Sequence, residues 1–543
     1  MKHIFYLITL LIAFSAEAQT LSETQKLAAT ARIWGFLKYY HPQVAAGKYN
    51  WDNKLVQVLP LVKQAQTKDE LSNVFLNWIE EQGNIPVCRK CAKVDKESFD
   101  KNFDMSWMQD TKIFTPELSA KLKYIENNRL LGDKYYVSPK GKGGSLGITN
   151  EVTYNNFNFP PEEGRLLTLF RFWNTVEYFA PYKYMTDVKW DDVLRQSIPK
   201  FTNARDALEY QFAINELIAT TDDSHGTIFT QANMQLYGAY RPPFVTTLVE
   251  DKIIVTKLHN DSLCRIDDIR VGDVISHLDG KVLIDLFKAN YKYYCASNTA
   301  VKNRHIEYIL CSNNNVPKIT FERNGVIAKK EIHEYKPRSY KYDVDNNDKG
   351  YRIMAENIGY ANLSKLFSKD VDAMMASLSN CPAIIFDIRN YPQWSVHELC
   401  AKLTSDGKEF VKLIKADLDY PGRFHWQPSL KTKSGRNAYS GKVIVLVNED
   451  TQSRSEFTTM AIKAAANAIV VGSQTAGADG ELIYVDLPGD FTATFTGNGI
   501  FYPDGRETQR AGIVPDIEVH PTIAGIRAGK DEVLNKAIEI AKQ

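Results

Sequence analysis

The sequence lacks a surplus of charge of either sign, and this excludes one broad class of partner. Its 543 residues carry 66 Lys and Arg against 65 Asp and Glu, a formal net charge of +1. Proteins that bind nucleic acid or anionic membranes usually present a strong positive excess. We therefore expect no nucleic-acid partner, and partners have to be inferred from local sites.

Cysteine is also scarce, with seven in the chain, so disulfides do not provide the framework of the fold. Cys88 and Cys91 have C-x-x-C spacing, which suits a local disulfide, half a zinc site or a redox pair. No second pair of this kind lies nearby, so the disulfide is favoured. Cys295 and Cys311 could form another. The other three stand in apolar stretches and are expected as buried thiols: Cys264, Cys381 and Cys400.

Long apolar runs are missing except at the N-terminus. There, Lys2 precedes an apolar run from Ile4 to Phe14, and Ala16 and Ala18 form an A-x-A cleavage site. A membrane anchor needs about twenty apolar residues, and this run is shorter. We expect residues 1–18 to be a signal peptide, and the mature protein to be periplasmic or extracellular with no integral membrane span.

Two segments, 26–60 and 165–199, align with each other without a gap, which indicates an internal duplication. The apolar residues of both recur at helical spacing. The sequence thus predicts two helical units, 19–88 and 161–235, joined by an irregular connector over 89–160 with little core. The matched pairs include Trp34 and Trp173, Tyr39 and Tyr178, Pro42 and Pro181, and Trp51 and Trp190.

The second half of the chain predicts two further domains. Within 240–338, "DIRVGDVISHLDGKVL" has a hairpin-like pattern and resembles a stretch of PDZ domains, which bind chain ends by strand addition. Another small β barrel is the alternative. Over 345–530 short β-branched runs alternate with helical stretches, as in an α/β core, and 531–543 predicts a closing helix. The fold class is multidomain α+β.

Ser453 stands where a buried strand gives way to a helix, and two interpretations of it compete. Ser453 and Glu456 form an S-x-x-E capping box, which needs no chemistry. A Ser on a sharp strand-to-helix turn can instead act as a nucleophile, with the helix N-terminus stabilising an oxyanion.

A candidate base lies far upstream in the polar cluster "TDDSHG", where His225 precedes a glycine. A lone His is more often structural than catalytic. None of the ten His residues forms an H-E-x-x-H pair, so the sequence does not support zinc hydrolysis, and we expect no metal or organic cofactor.

Six stretches occur in the order seen in the C-terminal processing, or tail-specific, serine peptidases. They are "TDDSHG", the PDZ-like stretch, "IIFDIRNYP", "TQSRSEF", "GSQTAGADG" and "YPDGRETQRAGIVPDIEV". The resemblance runs from about residue 165 to 530. It implies a peptidase core of the ClpP/crotonase-like type, and the helical duplication resembles a variant among exported bacterial relatives.

The resemblance places Ser453 at the family nucleophile. In the better-known branch the base is a Lys in the glycine-rich turn, but Ala478 stands there in this chain, and Lys463 lies too early on the helix. The tricorn-like branch uses a His that follows a Ser, which Ser224 and His225 match. The resemblance therefore implies a Ser/His mechanism.

The resemblance also implies an orienting group for the base and an oxyanion hole, and this chain departs from the family at both. The tricorn-like branch has a Glu acting through a Ser. The nearest positions here are Gln509 and Glu507, with Ser224 as a relay. The family's glycine pair after "D-x-R" is replaced by a stretch with Pro392, which has no N–H to donate. The expected backbone donors are Arg454 with Tyr391 or Gln393, and Trp394 is a candidate for lining a specificity pocket.

These observations predict an exported serine peptidase that cuts extended or unfolded polypeptides. The alternative is a catalytically impaired protein of the same fold that binds peptides or apolar ligands, favoured by the altered oxyanion segment. A third class, an accessory protein of a polysaccharide system, rests on the aromatic-rich duplication, although Trp34 and Trp173 at helical spacing are better explained as core. The sequence leaves the oligomeric state open.

Overall fold

The computed structural model describes residues 20–91, 97–140, 145–155, 157–343 and 349–543. The predicted signal peptide lies outside these residues. No helix within them is both long and apolar enough to span a membrane.

Cys88 and Cys91 form a disulfide, as expected. Cys295 and Cys311 are both free thiols, so the second suggested disulfide is wrong. The three other cysteines are buried, as predicted.

The first part of the chain is mainly helical. Its elements are α1 (Glu23–Tyr40), α2 (Pro42–Ala45), α3 (Trp51–Gln64), α4 (Lys68–Glu80), β1 (Ser98–Phe99), α5 (Pro116–Asn127), β2 (Val137–Lys140), β3 (Ser145–Ile148), α6 (Glu162–Phe179), α7 (Trp190–Thr202), α8 (Ala207–Ala219) and α9 (Gln231–Tyr237). The stretch 89–160 differs from the expected irregular connector. It contains α5, whose Leu118, Leu122 and Ile125 at helical spacing are fully buried in the common core.

Three helices of the two units match in order: α1 with α6, α3 with α7, and α4 with α8. In the first, the Trp34 and Trp51 indoles each donate to the other residue's carbonyl, at 3.2 and 3.0 Å. In the second, Trp173 and Trp190 repeat this reciprocal pair at 2.8 and 3.0 Å. The shared spacing of the sequence therefore produces the same buried arrangement twice.

Helices α1 and α6 cross at counterpart positions. A Cβ on Gly35 would lie 1.8 Å from the Asn174 side-chain oxygen, so only glycine allows this close approach. The Asn174 amide donates to the Ala31 carbonyl at 2.9 Å across the crossing. The two units consequently face each other in an approximate twofold relation.

The second region is a β module with three short helices. The strands follow the order β4-β5-β6-β8-β9, all antiparallel, with β7 added to β6, and β4 lies at an edge. Its PDZ-like character stays a prediction. The elements are β4 (Phe244–Val249), β5 (Lys252–Leu258), α10 (Asp261–Ile266), β6 (Val274–Leu278), β7 (Lys281–Val282), α11 (Leu283–Ala289), α12 (Thr299–Arg304), β8 (Lys318–Arg323) and β9 (Val326–Glu331).

The last region is an α/β core. Its elements are β10 (Tyr351–Ile353), β11 (Gly359–Asn362), α13 (Val371–Leu378), β12 (Ala383–Asp387), α14 (Val396–Leu403), β13 (Glu409–Ala416), β14 (Phe424–Trp426), β15 (Leu430–Lys431), β16 (Lys442–Val447), α15 (Arg454–Ala466), β17 (Ile469–Gly472), β18 (Leu482–Leu487), β19 (Phe491–Thr496), β20 (Gly499–Phe501), β21 (Ile517–Glu518), α16 (Ile523–Arg527) and α17 (Glu532–Ala541).

The central sheet of this core has the order β10-β11-β12-β16-β17-β21 and is parallel from β11 onward. One face packs on α13, α14 and α15, and the other on α17. Burial on both faces explains why its strands are continuous apolar runs. The mixed α/β architecture agrees with the predicted multidomain fold class.

Two connections join the core to the helical units. Strand β1 pairs with β14 of a second core sheet. The hairpin β18–β19 packs its apolar side chains into the core of the helical units. This hairpin brings Thr494 and Thr496 against the turn that follows α8.

Candidate active site

Ser453 lies at the carboxyl end of the central parallel sheet, between β16 and α15. Its backbone has φ 59° and ψ −120°, a conformation that costs a non-glycine residue about 1–3 kcal/mol. Sites in open α/β sheets form beyond the carboxyl ends of the strands. The strained turn therefore holds Ser453 at the place where this fold type forms its sites.

Glu456, one turn into α15, is a buried carboxylate that holds the Ser453 turn. Its Oε2 accepts the amides of Ser453 and Ala478, both at 3.1 Å. Its Oε1 accepts the Thr475 hydroxyl at 2.6 Å and the Gly477 amide at 2.8 Å. Burial raises the pKa of Glu456, and these hydrogen bonds oppose the rise. The helix start is thus tied to the glycine-rich turn.

His225 lies in the turn after α8, against the hairpin β18–β19. Its ring Nδ1 is 2.9 Å from the Thr496 hydroxyl, and its carbonyl accepts the Thr494 hydroxyl at 2.7 Å. Burial lowers the pKa of His225, the nearby Asp223 raises it, and Arg304 lowers it. The lowered pKa favours the neutral ring, the form that can act as a base.

Asp223 is a buried carboxylate whose four partners are all donors. Its Oδ1 accepts the His225 amide at 3.0 Å, the Thr496 hydroxyl at 3.0 Å and the Gln509 side-chain amide at 3.4 Å. Its Oδ2 accepts the Thr496 amide at 2.6 Å. Four donors suit an ionised carboxylate, which accepts hydrogen bonds and donates none.

These contacts determine which nitrogen of His225 carries the proton. The Thr496 hydroxyl has one hydrogen, and it donates that hydrogen to the Asp223 carboxylate. The same hydroxyl can then only accept from the His225 ring. Nδ1 is therefore protonated, and Nε2 carries the lone pair that a general base needs.

A direct contact joins the Ser453 loop and the His225 loop. The Gln452 side-chain amide donates to the Ser224 carbonyl at 3.2 Å. Arg304 in turn donates to the Gln452 side-chain oxygen at 2.9 Å. Residues adjacent to Ser453 and His225 are thus hydrogen bonded to each other, although more than two hundred positions separate the two loops.

The three predicted orienting residues have different surroundings. The Gln509 side-chain amide donates to Asp223 at 3.4 Å and to the Ser297 hydroxyl at 3.3 Å. Gln509 is therefore linked to His225 through Asp223. The Ser224 hydroxyl accepts the Ser297 amide at 2.8 Å. Glu507 contacts Lys101 at 2.6 Å and Tyr184 at 3.1 Å instead of the His225 network.

Sequence reasoning missed Asp223 and Thr496, the residues that lie next to the His225 ring. Asp223 could have been found, because it stands two positions before His225 in the quoted cluster. Thr496 carries no local signal, since only the packing of the hairpin on the helical units brings it to the ring.

The segment expected to supply an oxyanion donor lies beside the start of α15. The Arg454 guanidinium is 5.1 Å from the Tyr391 ring and 5.3 Å from the Trp394 ring, and both rings are half exposed. The Gln393 amide already donates to the Leu363 carbonyl at 3.0 Å. The Gln393 amide is thus engaged in this structure, and all three predicted backbone donors, Arg454, Tyr391 and Gln393, stay predictions.

The Lys-based alternative has no support in the structure. The Lys463 ammonium pairs with the Asp516 carboxylate at 2.7 Å on the exposed side of α15. Ala478, at the position of the family Lys, is fully buried, and its carbonyl accepts the Ser453 amide at 3.0 Å. The backbone of the turn, rather than a side chain, contacts Ser453.

An α/β core with a serine at a strand-to-helix turn is an arrangement that can support nucleophilic catalysis. The sequence profile of peptidase family S41 matches residues 357–519. This part of the chain is therefore similar to peptidase family S41.

A sequence relative and two solved structures are also similar to this chain. A protein of Chlamydia trachomatis serovar D is 32% identical over 112 residues, which span 20% of this chain and 19% of that relative. Mature CPAF complexed with lactacystin is 15% identical with a TM-score of 0.55, and covers 70% of this chain and 98% of its own. Mature CPAF alone is 14% identical with a TM-score of 0.55, and the match covers 70% of this chain and 97% of that chain. Both structures show a shared fold.

Proposed function

We propose that the protein is an active serine peptidase with Ser453 as nucleophile and His225 as general base. The observation that carries the proposal is the hydrogen-bond chain from the His225 ring through Thr496 to Asp223. This chain leaves the Nε2 lone pair of His225 available. A structural histidine would not need a buried carboxylate to fix its tautomer.

The reaction follows from this arrangement. His225 Nε2 takes the Ser453 proton while Oγ bonds to the substrate carbonyl carbon. The amides of Arg454 and Tyr391 stabilise the oxyanion, and Asp223 stabilises the imidazolium through Thr496. His225 then gives its proton to the leaving amine as the C–N bond breaks. A water molecule, deprotonated by His225, hydrolyses the acyl-enzyme and restores Ser453.

The substrate class we propose is an extended polypeptide. A cleft of about 450 Å³ lies between the edge strand β4 and the core, and includes Glu449 and Ser473. An exposed edge strand can pair with an added chain. The N-terminal pattern of the sequence further supports export to the periplasm or the extracellular space.

The second candidate function is peptide binding without cleavage, and specific observations favour it. Pro392 has no amide hydrogen and the Gln393 amide is engaged. In addition, the tricorn-like branch has an orienting Glu, and the nearest position in this chain is occupied by Gln509, which carries no charge. The carboxylate of Asp223 argues against this candidate, because it restores the charge that Gln509 lacks.

A fluorophosphonate probe distinguishes the two functions. We expect it to label the purified protein, and to fail with Ser453→Ala and with His225→Ala. Ser455→Ala is the matched control, because that neighbouring hydroxyl is buried without a partner among the described residues. Labelling of the control at the level of the unmodified protein would show that the fold is intact. Absence of labelling in the unmodified protein would favour the binding function.

A further inference from the structure

The interface of the two helical units contains two equivalent ion pairs. Arg171 of α6 contacts Asp52 of α3 at 2.7 Å. Arg32 of α1, the counterpart of Arg171, pairs with Asp191 of α7, the counterpart of Asp52. The approximate twofold relation therefore creates two matching positions, which we call the Arg171 site and the Arg32 cleft.

The Arg171 site is filled by the chain itself, through residues 150–154. The Glu151 carboxylate lies 3.0 Å from Arg171 Nε and 2.5 Å from Lys38 Nζ. The Val152 carbonyl accepts from Arg171 Nη1 at 2.8 Å. The Arg171 side chain is fully buried as a result. The site thus binds a peptide segment through one carboxylate and one main-chain carbonyl.

The Arg32 cleft has the same pair of charged residues, and in the described part of the chain no segment places both a carboxylate and a carbonyl on Arg32 as residues 150–154 do on Arg171. It has a volume of about 600 Å³, within the range of ligand sites. Trp173 and Tyr178 line it, and the Arg32 guanidinium lies 5.8 Å from the Trp107 ring. Asp191 is the one carboxylate paired with Arg32 in the described part of the chain. Arg32 therefore lines a space of ligand size while it pairs with Asp191.

The two places differ in the charge of their own side chains. At the Arg171 site, Lys38 and Arg171 exceed Asp52 by one positive charge, which Glu151 neutralises. At the Arg32 cleft, Arg32 pairs with Asp191 and Lys183 pairs with Glu177, so these four groups sum to zero. Two further cations of the cleft, Lys101 and Arg195, pair with Glu507 and Asp192.

One exchange distinguishes the two places. The counterpart of Lys38 is Glu177, whose carboxylate pairs with Lys183 at 2.8 Å. Lys183 is in turn the counterpart of Val44. The Arg32 cleft therefore has an ammonium group from a different residue, and the Glu177 carboxylate paired with it removes the positive excess that Lys38 gives the Arg171 site.

We propose that the Arg32 cleft binds an extended acidic polypeptide segment, as the Arg171 site binds residues 150–154. A ligand carboxylate contacts Arg32 and a ligand carbonyl accepts from the same guanidinium. The cleft wall adjoins the active-site loops, since Arg510 donates to the Met185 carbonyl at 2.5 Å and pairs with Asp187 at 2.7 Å. If the proposed peptidase activity holds, this cleft anchors substrate outside the reacting centre.

The test uses the chain's own segment as the probe. Fluorescently labelled peptide TNEVTYN, residues 149–155, is titrated into the full-length Ser453→Ala protein and its anisotropy is measured. We expect binding that weakens about tenfold when the peptide's Glu is Gln, and about tenfold with Arg32→Gln. Arg436→Gln, an exposed arginine of the core, is the matched control and should change nothing. The Ser453→Ala protein lacks the proposed nucleophile, so the measured binding does not depend on whether the peptidase proposal is correct.

A second variant tests for a gain, which misfolding cannot produce. Glu177→Lys combined with Lys183→Val gives the cleft the side chains of the Arg171 site. We expect TNEVTYN to bind about tenfold more tightly. The proposal is overturned if the peptide does not bind, if Arg32→Gln binds it equally well, or if the double exchange leaves the affinity unchanged.

Discussion

Two buried carboxylates, Asp223 and Glu456, hold the two proposed reacting residues, and each accepts four hydrogen bonds. Glu456 binds the Ser453 amide and three groups of the glycine-rich turn. Asp223 binds the His225 amide, the Thr496 amide and hydroxyl, and the Gln509 side chain. The two carboxylates are alike in burial and in the number of hydrogen bonds that they accept. They differ in which part of the reacting residue they contact.

The Glu456 network reaches Ser453 only through the main chain, so its effect on the nucleophile is to fix a strained turn. The Asp223 network reaches the ring of His225 through a hydroxyl, so its charge acts on the proton that the base carries. We conclude that Glu456 governs stability and Asp223 governs the rate. This distinction leads to the following predictions.

The largest expected effect is that of Asp223→Asn on kcat. Losing the carboxylate of a Ser-His-Asp triad costs about 10⁴ in rate, and here the carboxylate acts through an intervening hydroxyl, so we expect a fall of about 10³. The measurement is kcat on an unstructured protein substrate. Asp222→Asn, in the same turn but bonded to the Asp187 amide, is the control and should keep most of the activity. Equal loss in both variants would refute the assigned role.

Glu456→Gln tests the other network. Its amide group would face backbone donors, and leaving buried donors without an acceptor costs about 1–3 kcal/mol each. We expect the free energy of unfolding to fall by about 3 kcal/mol, as measured by denaturant titration. The activity per folded molecule should fall less than with Asp223→Asn. A rate loss without a stability loss would contradict the comparison.

Thr496→Val removes the link between Asp223 and the ring but keeps the carboxylate. A misplacement of a catalytic group by about 1 Å can cost about 10²-fold, so we expect kcat to fall about 10²-fold with little change in KM. Thr496→Ser retains the hydroxyl and should recover most of the rate. If the Val variant were as active as the Ser variant, the hydroxyl would have no part in orienting His225.

Much of the fold follows from the sequence, because the signals are local and repeated. Strands β12 and β16 are apolar except for one end residue each, Asp387 and Lys442, since both faces of their sheet are covered. The two helical units share a constant spacing of buried tryptophans. Helix α5 differs from the expected connector, although its Leu118, Leu122 and Ile125 have the helical spacing that would have predicted it.

The site was predictable only where a motif marks it. Ser453 and His225 each stand in a recognisable stretch, whereas Thr496 lies on a hairpin strand without a motif. Glu507 was proposed from its position in the chain, but its carboxylate contacts Lys101 and Tyr184. Side-chain direction within a loop depends on tertiary packing, and a single sequence does not encode it locally.

The smallest expected effect is a displacement of the pH profile. Burial lowers the pKa of His225, and Asp223 opposes that shift. The reaction needs the neutral ring, so kcat/KM should rise with pH through an acid limb centred below about 6.5, the ordinary value for His. Removing the carboxylate takes away the group that raises this pKa. In Asp223→Asn the residual activity should therefore show its acid limb at still lower pH, whereas Glu456→Gln should leave the limb in place. A limb that moved to higher pH in Asp223→Asn would show that Asp223 does not act on the His225 charge.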